Sequence, residues 1–139
     1  QADGPPTLFD LNKGVQAGDG KWLAYQKDDF KARVELTQKQ TVSRIKIGTL
    51  QSPGLWAFYP KEVEIQSSMD GIKFQPVKRT FYSSPKKADK GGIREITLEF
   101  KPVEAAFLKV NLKNLGKNPS WHQEKGKPSW IFCDEIIIE

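Results

Sequence analysis

The chain has 139 residues, a formal net charge of +5, one cysteine and one histidine. This length fits one domain that folds without a staple, and the lone Cys133 excludes an internal disulfide. Eighteen of the 22 cations are lysines, spread along the chain apart from Lys86, Lys87 and Lys90; nucleic-acid readers concentrate arginine forks, so a solvated basic surface and no nucleic-acid partner are expected.

The opening, Gln1 to Pro6, is neither basic nor apolar, so it does not read as a signal peptide, and no run approaches the ~18 apolar residues of a membrane span. Without an initiator methionine the chain reads as a mature or excised piece of a longer protein. Residues 1–7 are expected to be flexible and 8–139 to form the domain. Lys13 to Gln26 reads as a long loop that carries Trp22 and Tyr25.

Period-two alternation follows. Ala32, Val34 and Leu36 alternate with Arg33 and Glu35, and Ile45 and Ile47 with Arg44 and Lys46. A second long loop, Gln51 to Pro60, holds Trp56, Phe58 and Tyr59. Val63 and Ile65 alternate with glutamates, and Met69-Asp70-Gly71 ahead of Phe74 is a hairpin signal, with glycine supplying the positive φ. Tyr82 to Gly92 is a polar, lysine-rich loop. Ile96, Leu98 and Phe100, then Leu108, Val110 and Leu112, resume the alternation. A third long loop, Leu115 to Ser129, carries Trp121 and His122, and Trp130 to Ile138 reads as a central strand covered on both sides. Roughly seven or eight short strands with Pro/Gly loops, and no sustained 3.6-residue period, predict an all-β domain: a β-sandwich of two antiparallel sheets, or a barrel. The expected inward set is Val34, Leu36, Ile45, Ile47, Val63, Ile65, Phe74, Ile96, Leu98, Leu108, Val110 and Ile136.

Little points to catalysis. Cys133, between Phe132 and Asp134 in the closing strand, reads as a buried inert thiol. There is no Gly-x-Ser-x-Gly elbow, no phosphate-cradling glycine loop and no zinc spacing. The pairs Asp28-Asp29 and Asp134-Glu135 face opposite ways on a strand and make no acid/base site by themselves. No enzymatic activity is expected. The positive signal is aromatic residues in loops. Large rings plug the open ends of a sandwich, and Trp22, Phe58 and Trp130 read that way. Trp56, Tyr59 and Trp121 stand evenly between plug and sugar-stacking platform, since a flat apolar face with a polar edge suits a pyranose. Gln51, Asn118 and lysines are the polar groups set to hydrogen-bond its hydroxyls, and His122 stands between a hydrogen bond within its loop, the favoured reading, and a contact to the sugar.

The same residues carry a resemblance. Gly18-Asp-Gly-Lys-Trp-Leu-Ala-Tyr25 with Asp29-Phe-Lys-Ala-Arg-Val-Glu-Leu36 resembles the early part of a discoidin-like domain, the coagulation factor V/VIII type C domain. Val63-Glu-Ile-Gln-Ser-Ser-Met-Asp-Gly-Ile-Lys-Phe74 is similar to that family's strand and Ser-x-Asp-Gly hairpin. Pro119-Ser-Trp-His122 with Trp130-Ile-Phe-Cys-Asp-Glu-Ile136 resembles the closing segment of versions appended to bacterial glycoside hydrolases such as β-hexosaminidases. The resemblance spans about residues 8–139 and implies a galactose-binding-like jelly roll that binds glycans. It also implies a C-terminal accessory position beside a parent catalytic domain, in a secreted, extracytoplasmic protein. A structural calcium is implied between the first loop and the last strand, with Glu135 and the loop around Asn12 as ligands and Asp10 or Asp19 to make up for Lys13. Lys13 departs from the family's acidic position there, and a lysine cannot ligate a hard cation.

Two functions compete. One is a carbohydrate-binding module whose loop rings stack on a sugar at one end of the sandwich, Trp56, Tyr59, Trp121, His122, Gln51 and Asn118 making the site. The other is a structural or protein-contacting accessory domain that binds no sugar. A sugar site needs an open ring face beside polar groups; a docking patch is broader and more apolar.

Overall fold

The computed structural model describes residues 7–11, 15–17 and 22–139. Among these, strands dominate: β1 (Thr7–Leu11), β2 (Val15–Ala17), β3 (Trp22–Gln26), β4 (Phe30–Gln51), β5 (Glu62–Ser68), β6 (Gln75–Phe81), β7 (Gly92–Lys113) and β8 (Trp130–Ile138). The described helix is a single 3-10 turn at Pro53–Leu55. The antiparallel all-β sandwich expected from the alternation, with the jelly roll that the resemblance implied, is the fold observed.

Two strands differ from expectation in length. β4 and β7 each run for 22 residues, joining runs that the sequence presents as separate. They pair antiparallel along their lengths, with register shifts between Glu35 and Gln40 and between Val42 and Arg44. Thr37-Gln-Lys-Gln-Thr41 breaks the apolar alternation and imitates a turn, yet it bulges out of the ladder and the strand goes on. Bulges bend a strand and increase its twist. The bend lets one ribbon serve both layers. The first half of β4 and the second half of β7 lie with β1, β5 and β6; the other halves lie with β8, β3 and β2. By hydrogen bonding this is one curled sheet; by packing it is two layers.

A second correction concerns Lys13 to Gln26, which contains the strands β2 and β3. Leu23 to Gln26 pair with Trp130 to Cys133, so this segment continues the layer beyond β8. The flexible stretch expected at residues 1–7 falls outside the described residues except for Thr7, which pairs with Leu36.

The core follows the alternation. Val34, Leu36, Ile45, Ile47, Val63, Ile65, Ile96, Leu98, Leu108, Val110 and Ile136 are all buried between the layers. Phe74 is the exception. It lies in the hairpin just ahead of the edge strand β6 and stays half-buried, its ring 4.2 Å below the Lys109 ammonium. The hairpin turn shifts Phe74 out of the β5 alternation, so the ring packs on an outer face.

That hairpin is tightly specified. Ser68 Oγ accepts the Asp70 and Gly71 N–H groups at 3.2 and 2.8 Å, and Asp70 Oδ1 accepts those of Ile72 and Lys73 at 2.8 and 3.0 Å. Gly71 has a φ of 77°, and a Cβ there would lie 2.8 Å from Arg33 Nη2 and 3.0 Å from the Phe107 ring. Arg33 Nη2 in turn donates to the Gly71 carbonyl at 3.1 Å, pinning the turn to β4.

The Ile72 and Lys73 amides, then Ser68, hold the Asp70 carboxyl below the usual carboxylate range. A depressed folded value means the ionised group favours the folded chain. That contribution is present above the unfolded value, roughly pH 4, and is lost as pH falls through the lower folded value. Asp70→Ala is therefore expected to lower Tm at pH 7. The difference from the parent should shrink on acidification below about pH 4, read by thermal melts across pH.

Candidate functional site

The strand ends bring four connections to one end of the sandwich. Gln51 pairs with Gly92, Gln26 with Trp130, and Glu62 with Lys113 and Phe81. The links 27–29, 52–61, 82–91 and 114–129 therefore share that end. The loops expected from the sequence to converge, Gln51–Pro60 and Leu115–Ser129, do so. The Trp130 N–H donates to the Trp56 carbonyl at 2.7 Å, and the Phe58 N–H to the Trp130 carbonyl at 3.1 Å. His122 Nε2 lies 2.8 Å from the Pro53 carbonyl oxygen. Its Nδ1 accepts the Glu124 N–H at 2.9 Å, so Nε2 carries the proton and donates.

Under these loops sits Asn114, only 2% exposed. Its Nδ2 donates to the Tyr25 and Asp28 carbonyls at 3.1 and 3.0 Å. Its Oδ1 accepts the Gly116 N–H at 2.9 Å and the Ser129 hydroxyl at 3.1 Å. Its own N–H donates to Asp29 Oδ1 at 2.9 Å. Both donors and both acceptor positions of the amide are thus used. One side chain ties the β3–β4 link, the end of β7 and the entry to β8.

Between 51–60 and 82–94 lies a cleft of about 580 Å³, lined by Gln51, Tyr59, Tyr82, Lys86, Asp89 and Arg94 among others. Its walls are held by backbone carbonyls. Tyr59 Oη donates to the Gly92 carbonyl at 2.8 Å, buried Thr49 Oγ1 to the Arg94 carbonyl at 2.9 Å, and Trp121 Nε1 to the Pro85 carbonyl at 2.9 Å. Gly91 crosses Gln51 so closely that a Cβ would meet the Gln51 carbonyl oxygen at 2.5 Å. The Arg94 guanidinium stacks 4.1 Å above the Tyr59 ring. Burial pushes the Tyr82 hydroxyl up, against the opposing pull of Arg94.

The residues singled out in the sequence divide accordingly. Gln51 and Tyr59 line the cleft; Gln51 is buried, and its Oε1 accepts the Tyr59 N–H at 3.4 Å. Trp121 and His122 are half-buried behind it, in an edge-on cluster with the buried Phe58 at centroid distances of 6.2 and 6.0 Å. Asn118 is buried and donates from Nδ2 to the Glu124 carbonyl at 3.0 Å, folding its loop on itself. Trp56, half-buried in a left-handed conformation (φ 60°), ends the 3-10 turn outside the cleft. Phe58 plugs the sandwich end and Trp130 packs against the small cluster of Ala24, Ala57 and Phe132, as the capping reading expected. The Trp22 side chain lies outside the described residues.

Tyr82, Lys86, Asp89, Lys90 and Arg94 were not singled out from the sequence. Their signal was the polar, lysine-rich loop itself, whose Lys86 and Lys90 read as solvated surface charge. Of the residues implied for calcium, Asn12 and Asp19 lie outside the described residues, and Glu135 is exposed on β8. Among the described residues no three His, Cys, Asp or Glu side chains gather closely enough to hold a metal ion. Cys133 is buried at 2% exposure, and burial, aided by Asp134, pushes its thiol up to about 12. No helix among the described residues is long and apolar enough to cross a membrane.

Fold and loops define a galactose-binding-like β-sandwich. The model of the F5/8 type C domain matches residues 3–132, and the chain belongs to that family. No curated protein matches it. Several solved structures share the fold. A pectin-binding carbohydrate-binding module is 19% identical with a TM-score of 0.57, covering 95% of this chain and 88% of its own. The module CpGH89CBM32-5 from Clostridium perfringens, in complex with GalNAc-β-1,3-galactose, is 15% identical with a TM-score of 0.62, covering 95% and 94%. The family 32 module of AlyQ, in complex with 4,5-unsaturated mannuronic acid, is 12% identical with a TM-score of 0.62, covering 95% and 93%.

Asn114→Ala strips two donors and two acceptors from a buried network. The expected cost is about 2–4 kcal/mol, since each stranded buried group costs roughly 1–3 kcal/mol and relaxation recovers part. Denaturant titration measures it. Asn114→Asp, which sets a carboxylate against the Tyr25 and Asp28 carbonyls, should be at least as damaging at pH 7.

Proposed function

We propose that the chain is a non-catalytic carbohydrate-binding module that takes a glycan into the loop-end cleft. The observation that carries this reading is the cleft of about 580 Å³ built by Tyr59, Tyr82 and Arg94, at an end braced by Trp121 and His122. Family membership and the glycan-bound state of similar modules support it. The cleft matches the size of small-ligand sites, but it is open to solvent and its lining is mostly polar, with little apolar surface to bury. A lone module should therefore bind weakly, and tethering to a parent enzyme would raise the local substrate concentration. The reading places the domain outside the cytoplasm, as an accessory unit of a larger secreted glycoside hydrolase.

In this reading Gln51 and Tyr59 meet the ligand. Trp121, His122 and Asn118 hold the walls, and Trp56, outside the cleft, is the ring proposed to stack on a part of the glycan that extends beyond it. Trp121→Phe separates positioning from packing. It keeps a ring against Phe58 but removes the N–H that holds the Pro85 carbonyl. Glycan affinity should fall about two- to tenfold as the 82–91 wall loosens, while the lost internal bond, worth about 0.5–1.5 kcal/mol, lowers Tm only slightly. Isothermal titration beside a thermal melt reads both.

A second reading has its own observation. Leu55, Phe81 and Ile93 are 59%, 68% and 72% exposed, and all belong to the same end of the sandwich. A domain that docks there on a neighbour would bind no sugar. A glycan array on the isolated domain separates the two.

Calcium belongs to the same proposal. Glu135 is an exposed hard-oxygen donor suited to it, with Asn12 and Asp19 as partners. An ion that binds only the folded chain must raise Tm. Millimolar calcium should lift the melt above that in chelator, and Glu135→Gln should abolish the lift. Superimposed melts would remove calcium from the proposal.

A further inference from the structure

We infer that the cleft selects an anionic glycan, one bearing carboxylate or sulfate groups, over a neutral one. This inference rests on the glycan-binding reading and concerns the same site.

The charge inventory of the cleft is one-sided. Lys86, Lys90 and Arg94 line it together with one carboxylate, Asp89, so three cations against one anion leave an excess of two positive charges. The carboxylate is committed elsewhere: Asp89 Oδ2 accepts the Lys86 N–H at 2.7 Å, and the Asp89 N–H returns to the Lys86 carbonyl at 2.9 Å. It closes its own turn. The ion pairs among the described residues join Arg44, Lys46, Arg79 and Lys127 to glutamates, and none involves Lys86, Lys90 or Arg94.

Arg94 is the fixed member of the set. Its backbone is tied through Thr49, its guanidinium lies 4.1 Å over the Tyr59 ring, and the Tyr59 hydroxyl is anchored on Gly92. A guanidinium held over a ring still has N–H donors to offer, the fork that matches a carboxylate or sulfate oxygen pair. Lys86 and Lys90 are exposed point charges that can follow the ligand.

Ligand choice follows from what each side chain can accept. Lysine and arginine are donors only, whereas a neutral sugar offers hydroxyls that both give and take. A neutral ring can accept hydrogen bonds from these three cations but takes water from them without supplying a countercharge. An anionic residue supplies the missing charge, and its attraction is felt beyond contact distance at low salt.

The test is titration calorimetry of the isolated domain with three oligosaccharides of equal length: oligogalacturonate, a sulfated galactan fragment and neutral galacto-oligosaccharide. Oligogalacturonate or the sulfated fragment should bind at least about tenfold tighter than the neutral one at low salt. The preferred one identifies the anion. That advantage should decay between roughly 50 and 500 mM NaCl, as the screening length shortens. Arg94→Gln should lower anionic affinity about tenfold or more, and the surface pair Lys86→Gln/Lys90→Gln should do so with Tm unchanged. Neutral binding equal to anionic binding, or anionic binding indifferent to salt and to the lysine pair, would overturn the inference while leaving the glycan site standing. Binding to none of the three, or equal binding of a mixed oligonucleotide, would overturn the glycan reading itself.

Discussion

The β4–β7 ribbon is the constraint on which everything else hangs. Each strand spans 22 residues, and their pairing continues from Phe30↔Leu112 to Gln51↔Gly92 through two bulges. Every other strand pairs with this ribbon directly or through one or two neighbours. Because the ribbon passes through both layers, the relative placement of the layers is set by backbone hydrogen bonds as well as by packing. Continuous pairing over that length satisfies the amides that a break between sheets would leave to the loops. Its two halves also deliver the site, since Gln51 and Gly92 close one end of the ribbon and Lys113 opens the loop that carries Trp121.

From that frame the loop end inherits its order. Asn114 follows directly on the last residue of β7, and its amide reaches across to the β3–β4 link and down to Ser129 at the entry to β8. Burial of a fully satisfied amide is favourable only in one arrangement, because displacing any partner strands a polar atom away from water. The link between Tyr25 and Phe30 and the long loop 114–129 are therefore held in one relation. The aromatic cluster of Phe58, Trp121 and His122 stands on that base.

The sequence made most of the fold legible, because a half-buried strand must alternate. Val34, Ile65 and Val110 could be placed inward from their neighbours alone. Phe74 could not, since a turn resets the alternation, and Thr37 to Thr41 resembled a loop because a bulge and a turn share polar residues. The second and third long loops were correctly expected to meet, yet the cleft itself was half hidden. Gln51 and Tyr59 stood out in a loop rich in aromatics. Lys86, Asp89, Lys90 and Arg94 looked like ordinary solvated charge, and nothing in their own neighbourhood told which of them would share a cavity. That is a property of tertiary contact, as is the saturation of Asn114, whose partners lie 85 to 89 and 15 residues away.

One regularity of the loop end has a further consequence. The anchors of Trp121, His122, Asn118, Thr49 and Tyr59 all end on main-chain carbonyls: Pro85, Pro53, Glu124, Arg94 and Gly92. A carbonyl is present whatever the side chain is. The shape of the 82–91 segment is thereby uncoupled from the identity of Ser83, Ser84, Lys86, Lys87 and Lys90, which are exposed. Mutational drift can rewrite those positions while the scaffold grips the same atoms. In such a lineage the address is cheap to change and the mount is not. Divergence in what is bound can then run far ahead of divergence in fold.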